Sequence, residues 1–482
     1  MGKYAVPEEI RKAKPKGTMV KNISGRYYVY RFKTVTVDGK RKTKMGACIG
    51  KIQAGVGFVP NDNHVAADEL TTVDFGEWAV ALANSGKTFA ALKECFNPED
   101  AARIYLAALI HFVRGFTPLK DIAEHYGTGL LALRFPGMKM GADSLAGLYD
   151  ALGRRQRGVL EFERRRLAES SGVLAIDGHV VPGTSRESDL FEKGYKFEKF
   201  GMPQLNLLMA YDVNTLRPVL SRIYEGAATD KTSVPDFMGI ADLKGLLLLM
   251  DRGFYSENVL AALEKNGNSW VIPLASHLGR CKKAVADLSM GGTFRYLEGR
   301  KATLVEFKDE TIDGRRVLTF RDLSEALTER ENYLRHLEMG DKGYTQEGYE
   351  ANKDLLGVTV LQTNLENRTA REIFGLYKKR WKIETFYNGL KNRDGFHSLH
   401  GQSYYALQGL AFVMLASALV RREVADAAAG VKGMTVDDIL LRARMVKANK
   451  RRGRWEVCNC LKKRLSLFQQ LDTPLEVQEA HT

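Results

Sequence analysis

The sequence predicts a mixed α/β chain of several domains, with one central sheet flanked by helical regions. Three observations predict it. Strand and helix signals run β-β-β-α-β-α-β from Val173 to Leu274, and a further strand signal, Leu356 to Thr363, is followed by a long amphipathic helix, Ala370 to Arg393. The 482 residues, 44% of them hydrophobic, also exceed what one core usually supports while giving several domains material to bury.

The first 60 residues form a basic β-hairpin module. Lys12, Lys14 and Lys16 make a basic leader, and β-formers alternate from Arg26 to Ile49 around Asp38-Gly39, a two-residue hairpin turn signal. Arg31, Lys33, Lys40, Arg41, Lys42 and Lys44 offer either a phosphate-binding face or a solvated basic one. Residues 61–170 read as a helical, helix-turn-helix-like DNA-binding region. There Thr117 is an N-cap, Leu119 to Tyr126 an apolar-faced helix and Gly127 its terminator, with Asp143 to Tyr149 as a further helix of the unit or as plain packing.

The core comprises residues 171–275 and 354–400. Val173 to Ile176, Leu205 to Tyr211 and Pro218 to Tyr224 predict a three-stranded meander. Ser233 to Leu243 predicts a helix, Leu246 to Met250 a buried central strand, Asn258 to Lys265 a helix and Ser269 to Leu274 a strand. That order is the one of a ribonuclease-H-like fold. Residues 276–353, with turn signals at Gly291-Gly292 and Asp313-Gly314, are expected to be a mainly β insertion. Residues 401–482 are expected to be a helical C-terminal region with a basic tail. Its run LQGLAFVMLASALV is too short and interrupted for a membrane span and is expected to be buried.

A formal net charge of +14 favours a polyanionic partner. The tail from Leu441 to Arg464 concentrates it, with ten Lys or Arg against the single acid Glu456, and is expected to contact DNA phosphates. Cys48, Cys95, Cys281, Cys458 and Cys460 include no CxxC pair, which argues against a disulfide scaffold or a zinc ribbon and fits a reducing compartment. The N-terminus lacks the apolar core of a signal peptide, and no apolar run reaches membrane-spanning length, so a soluble cytoplasmic protein is expected.

Asp177 and Asp251 each follow an apolar strand. In an open α/β sheet such positions gather carboxylates at one edge, although either Asp is also an ordinary cap or turn former. The sharper signal is LYKKRWKIETFYNGLKN, where Tyr377, Arg380, Glu384 and Lys391 follow the spacing Y-x2-R-x3-E-x6-K. On a straight helix the last three fall at about 300°, 340° and 320° from Tyr377, one stripe roughly 60° wide. The structural alternative is a surface ion pair of Arg380 with Glu384 beside a packing tyrosine. Trp270 and Trp381 are read as packing residues, and His179 as a phosphate contact or a structural residue.

With these residues stated, the chain resembles the YREK group of bacterial insertion-sequence DDE transposases, the insertion-sequence-four superfamily, over most of residues 100–460. The likeness is carried by Ile176-Asp177-Gly178-His179, Met250-Asp251-Arg252-Gly253-Phe254, Leu361-Gln362-Thr363-Asn364 and the complete Tyr377, Arg380, Glu384, Lys391 signature. The resemblance implies two-metal-ion cleavage and strand transfer of DNA, with Asp177, Asp251 and Glu384 binding two Mg2+ ions and Mn2+ as a substitute. It implies that Tyr377, Arg380 and Lys391 bind DNA phosphate. Further implications are a hairpin intermediate on a cut-and-paste route, transposon-end and target DNA as partners, a homodimer in the synaptic complex, no membrane, and a nucleoid-associated place in a bacterial-type cytoplasm. A ribonuclease-H-like nuclease without strand transfer and a catalytically silent DNA-binding regulator are the alternative readings.

Overall fold

The computed structural model describes residues 6–37, 40–60, 71–182, 192–193, 203–226, 230–299, 301–393 and 403–479. The chain divides into two compact units, one of residues 1–84, 117–145 and 428–482, the other of residues 85–116 and 146–427.

Among the described residues the first unit holds two small sheets. Thr18–Ile23, Arg26–Val37, Lys40–Gln53 and Gly57–Pro60 pair antiparallel in chain order, with Val37 opposite Lys40; the Asp38-Gly39 turn itself lies outside the described residues. Arg31, Lys33 and Lys44 are exposed on this sheet. The helix Leu119–Gly127 forms with its apolar face, Ile122, Ala123 and Tyr126, buried, but its N-cap is Pro118 rather than Thr117 and makes no side-chain cap bond. After it the five-residue helix Leu130–Arg134 buries Leu130 to Leu133, and the further helix expected from Asp143 to Tyr149 lies within the helix Ala142–Arg154.

The expected helical C-terminal region also needs correction. After the helix Val436–Ala443, the basic stretch forms two strands, Lys447–Arg451 and Arg454–Cys458, which extend Thr72–Asp74 into a three-stranded antiparallel sheet before the helix Lys462–Gln470. The turn places Arg452 at φ 49° and Gly453 at φ 79°. Two left-handed residues are what a two-residue hairpin of strand-matched twist requires; Gly supplies one without cost, but Arg is not a residue that announces the other.

Among the described residues the second unit is built on a ten-stranded sheet. Its strands are β1 (Val173–Pro182), β2 (Pro203–Asp212), β3 (Arg217–Glu225), β4 (Leu247–Met250), β5 (Ser269–Pro273), β6 (Gly292–Glu298), β7 (Lys301–Ile312), β8 (Arg315–Asp322) and β9 (Val358–Thr363), with the short Glu192–Lys193 also pairing to β2. The spatial order is β6-β7-β8-β9-β5-β4-β1-β2-β3. β2 pairs antiparallel with both β1 and β3, whereas β1, β4 and β5 run parallel, and the helices Asp230–Ala241 and Glu257–Lys265 lead into β4 and β5. Leu174, Ile176, Leu248, Met250, Trp270 and Ile272 point from one face into a core completed by Val234, Phe237, Val259, Leu260 and Leu263 of those helices. At about 25 cal/mol per Å2 of apolar surface, burying each such side chain stabilises the unit by roughly 1.5–3 kcal/mol.

The segment 276–353 is not the mainly β insertion expected. Its strands β6, β7 and β8 continue the same sheet through β9, and it also contains the helices Gly279–Ala286, Leu323–Met339 and Gln346–Asn352. The 17-residue helix is bounded by Asp322, whose side chain accepts from the amides of Ser324 and Glu325, and by Gly340 in the left-handed conformation. Leu323, Ala326, Leu327, Tyr333, Leu334 and Leu337 share one face at helical spacing, yet none of the helix's residues is buried.

The apolar run predicted to be buried lies in the helix Tyr404–Ala427, whose Leu407 to Ser417 are all buried. By length and composition this helix is long and apolar enough to cross a membrane, as a buried core helix can also be. In the helix Pro98–Arg114, His111 is buried and stacked on Phe116, and burial lowers its pKa to about 4. The unfolded chain takes up this proton near pH 6.5 and the folded chain only near pH 4. Stability present above pH 6.5 is therefore lost as pH falls through that window, by about 3 kcal/mol. His111→Phe should flatten this part of the stability profile in urea unfolding at pH 7, 5.5 and 4.5; a variant with the same pH slope as the parent would refute the assignment.

Candidate active site

The site begins with strand register. Ile176 of β1 pairs with Met250 at the end of β4, and neighbouring strands lie about 4.8 Å apart. Because Ile176 and Met250 face the core, the next residues, Asp177 and Asp251, face the opposite side together. Asp251 sits at the strand exit in extended conformation, at the N-cap position of the turn Arg252–Phe254 but with no side-chain bond to it, and Phe254 is buried as the turn's anchor. Asp177, expected at a strand exit, is instead inside β1, which continues to Pro182 against β2. What ends at Asp177 is its parallel neighbour, so the carboxylate is uncovered on the β4 side without leaving its strand. One Asp177 oxygen, Oδ1, accepts from the Gly178 amide at 2.9 Å.

The third acid arrives on helices α1 (Ala370–Lys379) and α2 (Trp381–Asn388). Thr369 and Glu372 form a reciprocal capping box, and the bonds from the Thr369 amide and hydroxyl hold the Glu372 carboxyl down to about 2. At the α1–α2 junction the Arg380 amide bonds Tyr377 O at 2.9 Å, a tighter i−3 turn, and Gly389–Arg393 then widens into a π-helical turn. Tyr387 fastens α2 to the sheet: its hydroxyl donates to Asp177 O at 2.9 Å and lies 3.3 Å from Leu207 O, while its ring stacks on His179. β9 is held where α1 begins by Thr363 Oγ1 on Trp270 O at 2.6 Å and by Asn364, which accepts from the Trp270 amide at 2.9 Å.

Glu384 Oε1 lies 2.6 Å from Arg380 Nη1. The Arg380 guanidinium is only 7% exposed, sits 5.5 Å from the Tyr377 ring, and has a buried Nε with no hydrogen-bond partner among the described residues. Burial pushes its pKa down, but Tyr377, Glu384, Asp251 and Asp177 together outweigh that and hold it above its ordinary value. Burial raises the Tyr377 hydroxyl; Arg380 pulls it back, and Asp251 and Glu384 push it further up. One guanidinium therefore lies in the field of all three acids. Beside it a cavity of about 670 Å3 is lined by Asp251, Arg252, Lys282 and Tyr377, with Leu274 and Val358 among its apolar residues.

Three carboxylates are the hard oxygen donors that a divalent cation such as Mg2+ takes. Among the described residues, however, no three acidic, His or Cys side chains are grouped as a metal cage, and Glu384 is ion-paired to Arg380. Lys391 lies on the π-turn, where the 100° advance of an α-helix no longer holds, so the straight-helix stripe does not describe its direction. Trp270 is fully buried as expected, but Trp381, read as a packing residue, is 59% exposed. Tyr387 was not singled out in the sequence, although at ten residues past Tyr377 it falls at about 280°, at the edge of the same stripe.

No curated protein matches the chain. Residues 169–420, just over half of it, match the family model described as the transposase DDE domain, a span that includes β1 with Asp177, β4 with Asp251 at its exit, and α2 with Glu384. A match of that extent, over the sheet and helices that carry these three acids, means that the chain belongs to the transposase DDE domain family of DNA-cutting enzymes.

Proposed function

We propose that this protein is the transposase of an insertion sequence in the YREK group, cutting and rejoining DNA on a ribonuclease-H-like core with Asp177, Asp251 and Glu384 as its metal-binding acids. The observation that carries the reading is the buried Arg380, ion-paired to Glu384 and within the field of Asp177 and Asp251. The strand order β3-β2-β1-β4-β5, three antiparallel and then two parallel, also supports the core assignment.

A pair of divalent cations, Mg2+ or Mn2+, would supply the activation of water or a 3′-hydroxyl and the neutralisation of charge on the scissile phosphate. The residues supply position. Asp177 and Asp251 present their carboxylates side by side from a rigid sheet edge, and Tyr387 keeps the Glu384 helix against Asp177. Arg380 has a free Nε and a fork that suits phosphate, so DNA phosphate competes with Glu384 for the guanidinium and releases the carboxylate to turn toward the two aspartates. Tyr377 and Lys391 add hydroxyl and ammonium donors to the same phosphate. Water attacks phosphorus at the element's end and the 3′-oxygen leaves; the freed 3′-hydroxyl then attacks the opposite strand, giving a hairpin that is reopened before insertion. Two protomers bring two ends together.

The test is a labelled duplex carrying the element's inverted repeats, with the protein and Mg2+. Nicks with 3′-hydroxyl ends, then hairpins and joined products, are expected. Nicks that never proceed to joined product would replace this reading with a nuclease. Arg380→Lys keeps the charge but not the fork, and is expected to lower cleavage by tenfold or more at subsaturating DNA; an unchanged rate would remove Arg380 from phosphate binding.

A further inference from the structure

We infer that the C-terminal hairpin Lys447–Cys458 is a double-stranded DNA-binding wing whose tip, Arg451, Arg452 and Arg454, grips the phosphate backbone independently of sequence. The inference rests on the proposed function only for its choice of polyanion. The base of the hairpin is fixed. Val446 and Ala448 are fully buried, the Gly76 amide donates to Val446 O at 2.9 Å, and the Lys450 amide donates to Thr71 O at 2.8 Å. Gly76 lies so close to the helix Val436–Ala443 that a Cβ there would come within 2.1 Å of Ala443 O. Lys447 is tied to Asp74, and the Lys450 ammonium lies 5.6 Å from the Trp455 ring centre.

The tip is the opposite. Arg451, Arg452, Gly453 and Arg454 are all exposed, and the left-handed pair Arg452-Gly453 closes the turn without a further loop residue. Among the described residues Arg452 and Arg454 form no ion pair, nor do Lys450, Lys462, Lys463 and Arg464, while Arg451 has only an exposed contact of 3.7 Å to Glu456. A rigid two-stranded base carrying uncompensated guanidinium groups at its end suits a stiff polyanion, since pre-organisation spares the ordering cost that a basic tail without structure pays. Duplex DNA is the favoured partner because its regularly spaced phosphates match a rigid reader, whereas single strands are gripped through base stacking, and Trp455, the hairpin's aromatic ring, is half-buried and bonded to Glu479.

The experiment uses the full chain, a fluorescent duplex without inverted repeats, EDTA, and anisotropy from about 50 to 300 mM salt. Each phosphate contact contributes about 0.9 to the slope of log K against log salt. Arg451→Gln/Arg452→Gln/Arg454→Gln is expected to make that slope shallower by about 2 to 3 and to weaken binding by tenfold or more at low salt. The same three positions changed to Lys should keep the slope, which separates charge from fold. An unchanged slope overturns the proposal. So does an equal loss on changing Arg330 and Arg335, exposed on the helix Leu323–Met339, together with the exposed Lys342 just after it, or tighter binding of an RNA duplex. No cleavage is involved, so a wing that binds in a protein that does not cut would sink the proposed function alone, and normal cutting at saturating end DNA with an unchanged slope would sink the wing alone.

Discussion

Glu384→Gln is expected to slow DNA strand cleavage by about a thousandfold at saturating DNA, a loss of roughly 4 kcal/mol of transition-state stabilisation. The substitution keeps the size of the side chain and a hydrogen-bond acceptor for Arg380, and removes only the charge that a cation needs. Asp177→Asn and Asp251→Asn should cost as much, since the paired register of β1 and β4 gives neither aspartate a substitute. Single-turnover cleavage of a labelled end duplex with Mg2+ measures the rate, and anisotropy measures binding, which should survive. The competing reading makes Glu384 no more than the ion-pair partner of Arg380 at 2.6 Å. On that reading Glu384→Gln costs stability but leaves cleavage within about tenfold of the parent. Comparing the cleavage rate with the melting temperature of the same preparation decides between them.

How much of this was readable in the residues depends on how local each signal is. Leu246 to Met250 announced a buried central strand because an apolar run ending in Asp-Arg-Gly has few other uses, and it is β4. The Y-x2-R-x3-E spacing announced a shared helix face from the regular advance of an α-helix, and Tyr377, Arg380 and Glu384 still meet although the turn tightens at Arg380. Three things were hidden. The strand β1 runs six residues beyond Ile176 because β2 covers it, a pairing that Asp177-Gly178-His179 does not advertise. The helix Leu323–Met339 does carry an apolar stripe from Leu323 to Leu337, but the strand and turn signals before it outweighed that stripe, and none of its residues is buried. The basic tail folds as a hairpin because it finds an edge at Thr72–Asp74, some 370 residues earlier, and its turn uses Arg at a left-handed position normally given to Asn or Gly. Local periodicity reports local structure; partners chosen across hundreds of residues leave no mark at either end.

The second large effect lies away from the acids. Glu163 of the helix Arg157–Ala168 and Arg222 of β3 are 2% and 5% exposed and joined by two bonds, Nη1–Oε1 at 2.8 Å and Nη2–Oε2 at 2.7 Å. Burial pushes the Glu163 carboxyl above its usual range even against the pull of Arg222, so charge in this place is costly and tolerable only as a pair. Glu163→Ala leaves a guanidinium in the core with its main partner gone, and is expected to destabilise the unit by about 3–5 kcal/mol in urea unfolding. Glu163→Met together with Arg222→Leu fills the space without charge and should recover most of that loss. A single variant within about 1 kcal/mol of the parent, or a double variant no better than the single one, would show that the pair is not what fastens this helix to the sheet. Below its own melting range Glu163→Ala should cut DNA at the parental rate. β3 is separated from β1 by β2, so the pair supports the sheet that holds Asp177 without touching the acids themselves.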